Sequence, residues 1–210
     1  MTLKLFFAPG ACSGVTLNAL EELNLDYERQ RIQIHKGEQK SESYLALNPF
    51  GKVPALLVDG ELLTENGAIL IYLNSLVPGS KLFPNVEDAY QLSCIYSDLF
   101  WLSGTVHPAV RQVCMPVHFT LEDTKGVVEK GRLTLDLALK IAEQRLEKST
   151  WWYGEQWSIV DTYLHWCYTR AQRGGFALDA YPVLRAHQLL LEKAPSFLRR
   201  QQIEADAAQD

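Results

Sequence analysis

Cys12 stands in Pro9-Gly10-Ala11-Cys12-Ser13, at the junction between a short apolar strand-like run and an amphipathic helix-like run. A thiol at a helix N-terminus faces unpaired backbone N–H groups and the positive end of the helix dipole, which favour thiolate over thiol. The chemistry open to such a residue is redox trapping or control of a sulfur. A small half-buried filler is the plain alternative, and the strand-turn-helix context argues against it. Position 15, where a Cys-x-x-Cys motif would carry its resolving thiol, is Val15, so intramolecular dithiol exchange is excluded and a mixed disulfide with a small thiol stays open. Cys94, Cys114 and Cys167 fall in helical patterns rich in Leu, Ile, Tyr and Trp and read as core residues. Without Cys-x-x-Cys or Cys/His clustering, neither a disulfide framework nor a metal site is expected.

The elements that must position Cys12 change period repeatedly over the first 76 residues. Leu3 to Phe7 reads as a strand and Ser13 to Leu23 as a helix with Val15, Leu17, Ala19, Leu20 and Leu23 apolar. Tyr27 to Ile34 alternates weakly, and Ser41 to Leu47 is a short helical piece ended by Asn48-Pro49. Val53 to Val58, Asp59-Gly60 and Glu61 to Leu63 form the strongest hairpin signature in the chain. Gly67 to Leu76 then reads as a largely buried helix opened by Thr64-Glu65-Asn66. The predicted order is β-α-β-α-β-β-α.

Residues 77–86 hold two prolines and a glycine and read as a linker, which divides a first domain, 1–78, from a second, 87–210. Helical patterns cover about 87–106, 125–147, 159–172 and 182–193, punctuated by Pro108, Pro116, Gly154, Gly174-Gly175 and Pro195. The second domain is therefore predicted to be all-α. Ser158-Ile159-Val160-Asp161 reads as a reciprocal N-cap with a structural role for Asp161. Trp151-Trp152-Tyr153 reads as packing at a helix corner, since no basic residues interleave. Residues 204–210 read as a frayed, solvated end.

Composition sets the outer limits. With 210 residues, 47% of them hydrophobic, the chain can bury a sizeable core. A formal charge of -5 without a basic stripe argues against nucleic acid as a partner. Neither a signal-peptide pattern nor an apolar run approaching ~18 residues is present, which points to the cytosol and away from membranes.

These motifs together resemble the cytosolic glutathione transferases, in particular the bacterial beta class, over nearly the whole chain. The matching residues are Ala8 to Ser13, Asn48-Pro49-Phe50-Gly51-Lys52-Val53-Pro54-Ala55-Leu56, Leu63 to Ile69, His107, and Ser158 to Asp161. The resemblance implies a thioredoxin-like α/β domain followed by an all-helical domain, glutathione as cosubstrate, no metal, a small apolar electrophile and a homodimer. It also implies a cis Val53-Pro54 bond, with the Val53 backbone pairing the cysteinyl part of glutathione like an added strand. The family's Glu-Ser pair, which holds the γ-glutamyl group, here reads Glu65-Asn66; Asn66 keeps donor and acceptor capacity at a helix start where a carboxylate would be welcome.

Read from the residues alone, one thiol on a helix start, a proline-led hairpin and a Glu/Asn pair at a second helix start suit a small peptide. Cys12 faces its sulfur, Val53 the peptide, Glu65 the amine and Asn66 a carboxylate. By the resemblance Lys36 partners the glycyl carboxylate, with the adjacent His35 as the alternative and a solvated surface lysine as the plain reading. His107 corresponds to a second-domain histidine that approaches the bound sulfur and could ease thiolate formation or hold a water; a satisfied helix-end histidine is the alternative. Ser103, Gly104 and Phe100 lie about one and two turns before it, Phe100 standing where the family often has a polar residue. Ser13 either donates to the Cys12 sulfur or caps the helix. The electrophile is expected over Trp101, Val106 and His107. The catalytic candidates are thus Cys12, His107 and Ser13, and the glutathione-binding candidates Cys12, Lys36, Val53, Pro54, Glu65, Asn66, Ser103 and His107. Three activities fit: conjugation by the glutathione thiolate; a glutathione-dependent isomerase, dehalogenase or disulfide reductase; and non-catalytic binding of ligands or partner proteins.

Overall fold

The nearly continuous apolar run Leu3-Lys4-Leu5-Phe6-Phe7 gives the central strand of the first unit, and its burial on both faces requires layers on either side. The computed structural model describes residues 1–209. It separates into two compact units, Met1–Leu82 joined by the chain from Lys193 onward, and Phe83–Glu192.

In the first unit β1 (Leu3–Phe7), α1 (Ser13–Leu23), β2 (Glu28–Arg31), α2 (Glu42–Leu47), β3 (Ala55–Val58), β4 (Glu61–Thr64) and α3 (Asn66–Leu76) follow the predicted order. The sheet runs β2-β1-β3-β4, with β1 parallel to β2 and antiparallel to β3, and β3 antiparallel to β4. This is the expected thioredoxin-like arrangement. Asp59 and Gly60 carry the positive φ angles, 49° and 92°, that close the β3-β4 hairpin in the observed register Val58↔Glu61. Phe6, Ala8, Ile32, Tyr44, Val53 and Ala55 form one core cluster, so α2 covers the site end of the sheet through Tyr44.

The chain from Lys193 packs with the first unit: α9 (Pro195–Gln209) lies against α1, burying Ser196, Phe197 and Arg200. Residues 204–209, expected to fray, are helical, and Asp210 lies outside the described residues. Pro195, read as a breaker, is the first residue of that helix, where its missing N–H costs nothing.

The second unit contains α4 (Ala89–Trp101), α5 (His107–Cys114), α6 (Lys125–Leu146), α7 (Ile159–Arg173) and α8 (Pro182–Leu191), and no strand among its described residues. Sequence periodicity predicts one helix over 87–106 stopping at Pro108. The structure continues through a π-helical turn, Leu102–Val106, into α5, because Pro108 falls in the first turn of the new helix. The reciprocal cap at Ser158 and Asp161 is formed at the start of α7. The buried Asp161 carboxylate also accepts from Trp152 N–H at 2.7 Å and meets His187 Nε2 at 3.1 Å. Trp152 and Tyr153 pack as expected, both donating to Asp98.

Candidate active site

Three loops of the first unit meet at Cys12. After β1 the chain turns through Gly10, φ 71°, and Ala11 N–H closes the turn on the Ala8 carbonyl at 3.1 Å. Cys12 is the last residue before α1, and its Sγ–H donates to the Val53 carbonyl at 3.4 Å. A thiol and the backbone of a second loop are thereby joined, through a contact that the protonated form of the sulfur makes.

Ser13 does not serve the sulfur. Its hydroxyl is fully buried, accepts from Ala8 N–H at 3.0 Å and donates to Ala8 O at 3.3 Å, so both its functions are taken up in closing the loop. Neither expected role is observed, the N-cap position being Cys12 itself.

The second loop precedes β3. Val53-Pro54 is cis, as the resemblance implies, and Val53 is buried. The loop is held from within: Tyr44 Oη–H and Asn48 Nδ2–H both donate to the Lys52 carbonyl, at 2.7 and 2.8 Å. Burial pushes the Tyr44 phenol above its ordinary value, which keeps it a donor. Gly51 has φ 58°, and a Cβ there would lie 2.8 Å from Gln39 O, so this corner admits only glycine without movement.

The third loop carries Glu65 and Asn66. Glu65 is exposed and sits at φ 68°, an unusual conformation for a residue with a side chain. The Asn66 side chain, expected to face a ligand carboxylate, is buried and turned inward. Its Nδ2–H donates to Cys12 O at 3.1 Å and its Oδ1 accepts from Thr16 Oγ1 at 2.8 Å. It ties the start of α3 to the start of α1. The first intrahelical bond of α3 is Ile69 N–H to Glu65 O, which leaves the backbone N–H groups of Asn66, Gly67 and Ala68 as the donors a carboxylate could meet there.

Cys12, Val53 and Asn66 are thus connected by direct hydrogen bonds, with Pro54 and Glu65 their immediate neighbours. Lys36 and His35 are exposed on a 3₁₀ turn, Ile34–Lys36, between β2 and α2. Sequence reasoning missed Glu204 of α9, whose carboxylate accepts Gly10 N–H at 3.1 Å. A signal existed in Gly14, inside the first turn of α1, where a Cβ would come within 2.9 Å of Glu204 Oε1.

The remaining candidates belong to the second unit. His107 opens α5, with Nδ1 2.9 Å from Tyr163 Oη and its ring centroid 4.4 Å from that of Trp166. Ser103 Oγ–H donates to Phe100 O at 3.5 Å, and Phe100 is 72% exposed. Val106, expected against an electrophile, is completely buried, and Trp101 stacks on Trp152 with centroids 5.5 Å apart. No cluster of three or more His, Cys, Asp or Glu suited to a metal occurs among the described residues.

Residues 1–75 match the family model for the glutathione S-transferase N-terminal domain. A glutathione S-transferase of Escherichia coli O157:H7 is 33% identical over 175 residues, covering 79% of this chain and 83% of that protein. The chain belongs to the glutathione S-transferase family. Another relative of this glutathione S-transferase family member is a disulfide-bond oxidoreductase of Escherichia coli K12, 30% identical over 76% of this chain and 75% of its own length. Among solved structures, a glutathione transferase homologue from Sulfitobacter with bound glutathione superposes with a TM-score of 0.86 at 27% identity, over 96% of this chain and 97% of that one. The beta-class glutathione S-transferase of Sphingomonas chungbukensis gives 0.83 at 28% identity, over 96% and 98%. The resemblance to the bacterial beta class therefore extends across both units.

Proposed function

We propose that this glutathione S-transferase family member is a cytoplasmic, homodimeric transferase that conjugates the glutathione thiolate to small apolar electrophiles and exchanges thiols and disulfides through Cys12. The observation that carries this reading is the contact between Cys12 Sγ and the Val53 carbonyl. It places a thiol beside the backbone edge that a cysteinyl peptide would pair with. Glutathione bound through Val53, with its amine at Glu65, one carboxylate at the α3 backbone N–H groups and the other near Lys36 or His35, brings its sulfur to Cys12. In conjugation the glutathione thiolate attacks the electrophilic carbon, forming a C–S bond as the leaving group departs with its electron pair. In exchange, the Cys12 thiolate attacks a mixed disulfide of glutathione with another thiol, taking the glutathionyl sulfur and releasing the other thiolate; a glutathione thiolate then attacks the Cys12–glutathione disulfide, forming oxidised glutathione and releasing the Cys12 thiolate.

Disulfide reduction is the second reading, favoured by the same sulfur contact and by the oxidoreductase relative. Isomerase and dehalogenase activities share the glutathione half, and a binding-only protein would lack turnover. Retention on immobilised glutathione followed by assay with a generic aryl halide tests the reading. Intact-protein mass after incubation with oxidised glutathione separates the two activities. An adduct on wild type that is lost in Cys12→Ala supports the exchange step. Retention without an adduct leaves conjugation alone, and no retention removes glutathione altogether.

A further inference from the structure

Asn66 reads from its type and place as a ligand contact, yet both ends of its amide face inward. The side chain is 4% exposed, with Nδ2–H donating to Cys12 O at 3.1 Å and Oδ1 accepting from Thr16 Oγ1 at 2.8 Å. A carbonyl can only accept, so the nitrogen must be the amide atom that faces Cys12, and the oxygen is left for the Thr16 hydroxyl. Thr16 is itself completely buried, so water does not compete for that bond.

What Asn66 holds is the backbone of the thiol-bearing residue. Cys12 O also accepts Val15 N–H at 3.1 Å, so the peptide plane after Cys12 is held from α1 on one side and from α3 on the other. Cys12 stands at φ -61° and ψ -16°, and once its backbone is held a cysteine keeps only χ1, which has few staggered settings. The setting observed carries Sγ–H to the Val53 carbonyl at 3.4 Å. We propose that Asn66 is a positioning residue for Cys12, its amide holding the peptide plane from which the thiol reaches the Val53 edge. Cys12, Thr16, Val53 and Asn66 all belong to the first unit. This role rests on the exchange reading for its chemistry, while the seat of the thiol is a property of the chain without glutathione.

The seat is read from the infrared S–H stretch of the full-length protein at mildly acidic pH, the Cys12 band being separated from those of Cys94, Cys114 and Cys167 by difference with Cys12→Ala. A hydrogen-bonded S–H absorbs at lower wavenumber than an unbonded one. Wild type is expected to show a lowered Cys12 band and Asn66→Ala a raised one. Glu143→Ala, which destabilises the protein from the second unit, is expected to leave the band in place. An unlowered wild-type band, or one that Asn66→Ala does not move, overturns the proposal. Asn66→Leu, which keeps most of the volume, is read instead if the alanine variant does not fold. The second measurement follows glutathionylation of Cys12 by oxidised glutathione, each adduct releasing one glutathione thiolate, by mass over a range of concentrations. Asn66→Ala is expected to lower the limiting rate about tenfold with half-saturation within about twofold, as misplacement of the sulfur would do. A raised half-saturation at unchanged limiting rate would make Asn66 a ligand contact and overturn the positioning role. A wild type that forms no adduct while its band moves in Asn66→Ala counts against the exchange reading and bears out the seat.

Discussion

A hydroxyl one residue from a thiol is available for chemistry only if its hydrogen bonds are not already committed. Ser13 spends its acceptor and its donor on Ala8, in a site without solvent. Replacing it by alanine leaves the Ala8 N–H buried and unpaired, and we expect a loss of about 1–3 kcal/mol in urea unfolding. The Cys12 adduct with oxidised glutathione should persist in that variant by mass. Asn66 makes the same point from the other side of the site. Its amide bridges Cys12 O and Thr16 Oγ1, so Asn66→Ala should cost about 1–3 kcal/mol in the same measurement. That residues 12, 53, 54 and 65 stand near one another was legible because helix starts and a proline-led hairpin are fixed by the backbone. The inward turn of Ser13 and Asn66 was not legible, since a short polar side chain beside a loop reads alike whether it faces ligand or backbone.

At the scale of elements, local signals were strongest where backbone geometry admits few residues. The Asp59-Gly60 turn and the helix starts at residues 13 and 66 follow directly from such signals. The π-helical turn and α9 do not, because both depend on which tertiary surface buries them rather than on periodicity. Glu143 illustrates that dependence. Its carboxylate, buried in the last turn of α6, accepts the N–H groups of Val183 at 2.8 Å and Leu184 at 2.9 Å and so caps α8 from another helix. Glu143→Ala should destabilise the protein by roughly 2–4 kcal/mol in urea unfolding, two buried charge-assisted hydrogen bonds being lost at once. Gly174 closes α7 under a similar constraint. A Cβ there would fall 2.5 Å from Cys114 Sγ, so Gly174→Ala should lower the melting temperature by several degrees, corresponding to about 1–3 kcal/mol of overpacking.

Across the whole molecule, several tyrosines set an alkaline limit. Tyr27, Tyr153, Tyr168 and Tyr181 are each pushed above the ordinary phenol value, first by burial and then by neighbouring carboxylates. In the unfolded chain these phenols ionise near pH ~10, whereas in the folded chain they hold their protons to higher pH. Their contribution is therefore complete below about pH 10 and is lost as pH rises from there toward the folded values. Stability measured by denaturant should fall steeply above that point, with phenolate absorbance from these tyrosines appearing together with unfolding. Ionisation of these four phenols in a chain that stays folded would contradict this.

The bond between Gly10 and Glu204 spans 194 positions of the chain, and the second unit is made entirely between its two ends. A ribosome delivers the Cys12 loop before its carboxylate partner, so all of α4 to α8 emerges while that loop still lacks the Glu204 contact. During synthesis this family member therefore carries a thiol whose loop has one tie yet to be translated. A nascent chain stalled before α9 should hold the Gly10 turn beside Cys12 less firmly than one that has released α9.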